Sequence, residues 1–204
     1  MEYDEDAARA KHAQLLRHAA LGPVGTSLDE NARLRLVNAF VRVTPPEKSE
    51  LSIGLITISS PYDAPKAKSR KAGNVVLNWR KLLDIVPDVS LAGLGAATLP
   101  VAPQIAVVLA GLYIWNKVWR GAVEEFSDVE AVTILALWEN RDGRNKIPES
   151  DGFTRTNQVR GRYGLPPLSV GQYASAIKRL VDLKCIELEE GVIWLREWIE
   201  VKYF

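Results

Sequence analysis

The sequence predicts an α+β protein, mainly helical, that closes with three helices and a two-stranded hairpin. Three observations predict it. Apolar residues recur at three- and four-residue spacing over 5–20, 74–86 and 127–183. Short Val-, Ile- and Leu-rich runs bounded by turn residues lie between and after them. Between Val89 and Trp115 there are 27 residues without a charge, and Pro100 and Pro103 interrupt them. With 47% hydrophobic and 25% charged residues, the composition is that of a folded soluble protein rather than a disordered one.

The elements follow in order. Residues 5–20, with Ala7, Ala8, Ala10, Leu15, Leu16, Ala19 and Ala20, favour helix, and Gly22-Pro23 stops it. Leu34 to Val43 and Leu51 to Ser59 read as two strands forming a hairpin across Pro45-Pro46. Ser60 to Gly73 carries Lys66, Lys68, Arg70 and Lys71 and two prolines, so it reads as a basic loop. Asn74 to Val86 returns to a helical spacing through Val75, Trp79, Leu82, Leu83 and Val86.

The uncharged stretch has competing readings. It exceeds the roughly 20 apolar residues that span a bilayer, and Tyr113, Trp115 and Trp119 resemble an interfacial aromatic belt. Against this, Pro100 divides it into pieces of 11 and 15 residues, each too short to cross lipid at ~1.5 Å per residue. Small residues Gly93, Gly95, Ala96 and Ala97 allow close helix packing on Ile105, Val108, Leu109 and Leu112. An apolar helical hairpin buried in protein, turning at Pro100 to Pro103, is therefore expected. The competing readings are membrane insertion of 89–119 and an exposed apolar face that docks a partner.

The last section begins at Ser127-Asp128-Val129-Glu130, a capping box. Ala131, Ile134, Leu135 and Trp138 then share a helix face. A short helix is expected over Thr154 to Tyr163. A third, capped by Ser169, bears Val170, Tyr173, Ala174, Ile177, Leu180 and Val181. Ile186 to Leu188 and Val192 to Leu195 flank Glu189-Glu190-Gly191 and read as a hairpin. The chain thus divides into 1–73, 74–126 and 127–204.

Helix, short helix, turn, longer helix and hairpin over about 127–201 resemble the winged helix-turn-helix superfamily, by pattern and without a diagnostic motif. The resemblance implies that the third helix enters a DNA major groove, with Gln172, Ser175, Lys178 and Arg179 outward. Residues 152–181 also contain Arg155, Arg160 and Arg162 and no acid, a local charge suited to phosphates. The nucleic-acid-binding candidates are therefore Arg155, Arg160, Arg162, Gln172, Ser175, Lys178 and Arg179. Glu187, Glu189 and Glu190 at the hairpin oppose phosphate contact, and the formal net charge of the chain is only +1.

No constellation points to catalysis. His12 and His18 stand six apart with no Cys or acidic cluster beside them, so no metal site is expected. The lone Cys185 reads as core and fits a cytoplasmic protein. Gly93-Leu94-Gly95 lacks the strand-then-helix context of a dinucleotide loop, and Ser175 with Lys178 lacks the companion motifs of serine acyltransferases. Glu124-Glu125 and Glu189-Glu190 suit solvated ends. The expectation is a non-enzymatic interaction or scaffold subunit of a multi-protein assembly, without cofactor or small-molecule substrate. A protein partner ranks first, DNA second as for a transcriptional regulator, and a membrane third. Six tryptophans support the first, since Trp is enriched at binding hot spots.

Overall fold

The computed structural model describes residues 5–21, 34, 37–38, 40–44, 74–85, 102–120 and 126–201. In chain order these form α1 (Glu5–Leu21), β1 (Val41–Thr44), β2 (Asn74–Asn78), α2 (Trp79–Ile85) and α3 (Pro103–Arg120). Then come α4 (Asp128–Glu139), β3 (Lys146–Pro148), α5 (Glu149–Arg162), α6 (Val170–Asp182), β4 (Ile186–Glu189), β5 (Val192–Leu195) and β6 (Trp198–Val201). The architecture is mixed α+β and mainly helical. Two antiparallel three-stranded sheets have the orders β1-β2-β6 and β3-β5-β4.

Helix α3 is the second half of the uncharged stretch, and its surroundings explain its composition. Every residue from Ile105 to Leu112 is buried, as are Ile114 and Trp115. A helix apolar on all sides must be enclosed on all sides. It packs against α1, α2 and α4. The indole of Trp115, fully buried, donates to the Leu183 carbonyl at 2.5 Å, at the end of α6. That bond satisfies a helix C-terminal carbonyl that would otherwise lack an intrahelical partner. Residues from all three sequence segments, Leu15 through Leu82 and Val108 to Leu195, share one apolar core. No described helix is long and apolar enough to cross a membrane. The first half of the expected hairpin and its turn up to Val101 lie outside the described residues.

Two local expectations are corrected. Leu34 to Val43 is not one strand: Leu34, Val37, Asn38 and Phe40 are helical, and strand begins at Val41. Val37 and Phe40 are buried while Asn38 is exposed, the three-residue spacing of one helix face. Asn74 to Val86 does not start as helix. Its first five residues are β2, where buried Val75 and Leu77 alternate with half-buried Val76 and Asn78. Strand β1 pairs with β2, in the register Val41 to Leu77, and β6 from the C-terminal end completes the sheet through Leu77 to Ile199. The expected strand at 51–59 and the basic loop at 60–73 lie outside the described residues. Trp79 then meets Phe40 edge-on, ring centroids 5.0 Å apart, locking α2 to the segment before β1.

In the C-terminal section α5 begins at Glu149, five residues before the expected start, because Lys146–Pro148 is a strand that ends in Pro148. Gly152 lies where α4, α5, α6 and β5 converge. A β-carbon there would overlap the Tyr173 hydroxyl and lie 2.9 Å from Leu137 Cδ2 and 3.4 Å from Ile193 Cδ1. Gly152→Ala is therefore expected to destabilise by about 1–3 kcal/mol despite the better helix propensity of alanine. Urea unfolding checks it, and a gain in stability would show that this junction is not closely packed.

Candidate functional site

The unit from Ser127 to Leu195 is assembled around the first turn of α4. The Ser127 hydroxyl accepts from the Val129 N–H at 3.2 Å, while Glu130 accepts from the Ser127 N–H at 2.9 Å and from its hydroxyl at 2.7 Å. This is the capping box that the sequence predicts. Its carboxylates also reach other elements. Arg160 on α5 donates to Asp128 at 2.8 Å and, through Nε, to the Pro166 carbonyl at 2.7 Å. Arg179 on α6 pairs with buried Glu130 and lies over the Phe126 ring, 4.9 Å from its centroid.

The turn between α5 and α6 is held by a side chain of α5. Asn157 accepts from the Leu168 N–H at 2.7 Å and donates to its carbonyl at 3.3 Å. Gly164, at φ +69°, supplies the left-handed residue that ends α5. Ser169 caps α6, its hydroxyl accepting from the Gln172 N–H at 3.3 Å, and the Gln172 side-chain Oε1 accepts from the Ser169 N–H at 2.9 Å.

The nucleic-acid-binding candidates are placed by these bonds as follows. Arg160 is 3% exposed, an interior residue rather than an outward one. Arg179 and Arg162 are taken by Glu130 and Glu139. The Gln172 amide closes its own helix cap, which a base edge would have to displace. Ser175 is exposed and donates to the Gly171 carbonyl at 2.9 Å. Lys178 is exposed on α6. Arg155 is exposed on α5, donates to Gln158 at 3.0 Å, and lines an open cleft with Arg141, Lys146, Asp142 and Asp151, whose charges are mixed. The +5 stretch of the sequence is thus largely neutralised by acids from outside it. Over residues 127–201, ten Lys and Arg stand against twelve Asp and Glu.

The hairpin has its own character. Glu190 and Gly191, at φ +50° and +74°, form a two-residue turn with both residues left-handed, as the twist of a tight hairpin demands. Cross-strand partners share a face, so Lys146, Trp194 and Glu187 form one row and Pro148, Val192 and Glu189 the next. The Lys146 ammonium lies 5.2 Å from the Trp194 ring centroid, and Arg196 pairs with Glu187. Trp194 remains 38% exposed and Trp198, at the start of β6, 59% exposed. Neither was singled out by sequence reasoning, although the alternation of Val192, Ile193, Trp194 and Leu195 places Trp194 on the face opposite Ile193.

Burial pushes the Cys185 thiol well above its ordinary range, against the thiolate a nucleophile needs. Burial, and secondarily the Glu149 carboxylate, push the Tyr173 hydroxyl up as well. Among the described residues, no group of three or more His, Cys, Asp or Glu is placed to hold a metal ion.

Breaking the α4 anchors should reveal their asymmetry. Asp128→Ala strands the Arg160 charge in the interior and is expected to cost about 3 kcal/mol or more. Arg160→Met leaves behind only a carboxylate that is 32% exposed, and is expected to cost less. Denaturant unfolding of both variants checks the order, and the reverse order would mean that Arg160 is solvated.

The loop after α4 supplies a pH test. The exposed Asp142 carboxylate accepts from the N–H groups of Lys146 at 3.0 Å and Arg144 at 2.8 Å. The Lys146 bond is the main cause that holds its pKa below the ordinary 3.8. A depressed folded pKa means the turn is fully supported above 3.8 and loses that support as pH falls through the lower folded value. In a carboxyl NMR titration Asp142 is expected to titrate below 3.8, with the Arg144 and Lys146 amides shifting in step. Titration at or above 3.8 would show the two bonds absent in solution.

No protein family, no curated protein and no solved structure matches this chain.

Proposed function

We propose that residues 127–201 are a winged-helix-like module acting as a non-enzymatic protein-interaction unit of a multi-protein assembly. The module reading is supported by the order α4, β3, α5, α6, β4, β5 and by the sheet order β3-β5-β4, with the hairpin as the wing. One observation carries the choice of protein over DNA. The cations that would meet phosphates are engaged internally: Arg160, Arg162 and Arg179 each bind a carboxylate of the module itself. What faces outward near the wing is Trp194 with the carboxylates of Glu189 and Glu190. An amphipathic aromatic at a polar rim suits a protein partner, and acids at the wing repel a phosphate backbone.

DNA binding by Arg155, Arg160, Arg162, Lys178 and Arg179 is the competing reading, and one pair of measurements separates the two. Fluorescence anisotropy with labelled duplex DNA at about 50 mM salt, where non-specific phosphate binders still bind, is expected to show no saturable complex. A photo-crosslinking residue in place of Trp194 is expected to give a discrete protein adduct in cells, and one in place of Ser175 to give none. Saturable, salt-sensitive duplex binding that Arg155→Glu with Lys178→Glu weakens more than about tenfold would overturn the proposal in favour of DNA.

A further inference from the structure

Strand β4 ends its sheet, and along its outer edge no strand pairs with it among the described residues. Exposed sheet edges invite another chain to add a strand, and proteins usually guard them. This edge is guarded selectively. Glu187 and Glu189 are two apart and share the outer face, whereas Leu188 turns to the opposite face beside buried Ile193 and is left 40% exposed. The edge therefore reads acid, apolar, acid.

The backbone is placed to match. Arg196 N–H donates to the Cys185 carbonyl at 3.1 Å, just beyond the Ile186 to Leu195 pair. In an antiparallel ladder, backbone groups alternate between facing the partner strand and facing away. Glu187 and Glu189 then turn their N–H and C=O groups to β5, and Leu188 turns its own outward. Beside this edge an open pocket of about 520 Å³ is lined by Glu189, Glu190, Val192 and Trp194.

We propose that the β4 edge receives an extended segment of another protein in which Lys or Arg alternates with apolar residues, added as a fourth strand to this sheet. This rests on the protein-interaction reading above and specifies the partner. Charge complementarity selects it. The incoming cations lie opposite Glu187 and Glu189, and the apolar residue between them covers Leu188. A long basic side chain entering the pocket lays its aliphatic stem on Val192 and Trp194 and brings its head group to Glu189 and Glu190. Glu189 and Glu190 have no ion-pair partner among the described residues, whereas Glu187 exchanges or shares Arg196. The Trp194 ring already has a cation near it in Lys146. A second copy of this chain is the disfavoured occupant, because edge against edge would set Glu187 and Glu189 against like charges.

The test uses the whole chain and a short fluorescein-labelled peptide alternating Lys or Arg with Val. Anisotropy is expected to show saturable binding that weakens with added salt. Glu189→Lys with Glu190→Lys is expected to weaken it by about tenfold or more, the scale of losing one close charge pair. The same peptide with Glu at the basic positions is expected not to bind. N-methylation of the Val amides is expected to abolish binding, since it removes the edge hydrogen bonds while keeping every charge. Circular dichroism and melting of the exposed Glu→Lys variant verify that it folds. Equal binding by the N-methylated peptide would overturn strand addition, and equal binding by the Lys variant would overturn the acidic edge. Self-association in place of peptide binding would assign the edge to a second copy. If the wild type ignores the peptide while the Trp194 crosslink persists, this proposal falls and the protein-interaction reading stands. If duplex DNA is bound instead, both fall.

Discussion

Two carboxylates in the first turn of α4, Asp128 and Glu130, hold the two helices that follow. Each takes an arginine from a different element, Arg160 from α5 and Arg179 from α6. Both sit at a helix N-terminus, where negative charge is favoured by the backbone dipoles. Glu130 is nearly enclosed, and the Ser127 N–H, the Ser127 hydroxyl and Arg179 converge on its carboxylate. Arg160 extends the same logic into the turn, since its second bond goes to Pro166. The geometry of α5, the turn and α6 therefore depends on charges placed 30 to 50 residues earlier in the chain.

That internal use of charge shapes what the surface can offer. Arg160, Arg162 and Arg179 are committed to carboxylates of α4, so those three charges are balanced within the unit. The β4–β5 hairpin, meanwhile, keeps two acids and an aromatic ring in solvent. Structural ion pairs and the character of the outer face are thus two consequences of one charge distribution.

The module is not isolated from the rest of the chain. Trp115 of α3 closes on the end of α6, and the Glu197 carboxylate accepts from Asn145 at 2.7 Å and from Arg80 at 3.3 Å. Glu197 stands between β5 and β6, where the chain leaves one sheet for the other. Its carbonyl also accepts from the Arg80 N–H at 3.1 Å. One residue therefore links the loop after α4, the start of α2 and both sheets.

The sequence by itself determined the elements whose signals are local. The capping box at Ser127, the cap at Ser169 and the hairpin around Glu189-Glu190-Gly191 each depend on residues within a few positions, and each was legible; of the expected stripe on α6, Tyr173, Ile177 and Leu180 are buried while Val170 and Ala174 are exposed. So was the need to enclose Ile105 to Leu112. Tertiary structure decided what depends on distant partners. Asn74–Asn78 is strand because β1 and β6 pair with it from either side, 30 residues before and 120 after, which no local spacing encodes. Arg160, Arg162 and Arg179 looked like a free basic face because their carboxylates, Asp128, Glu139 and Glu130, lie on another helix. Ionic pairing is a matter of proximity in space, and only the fold brings those charges together.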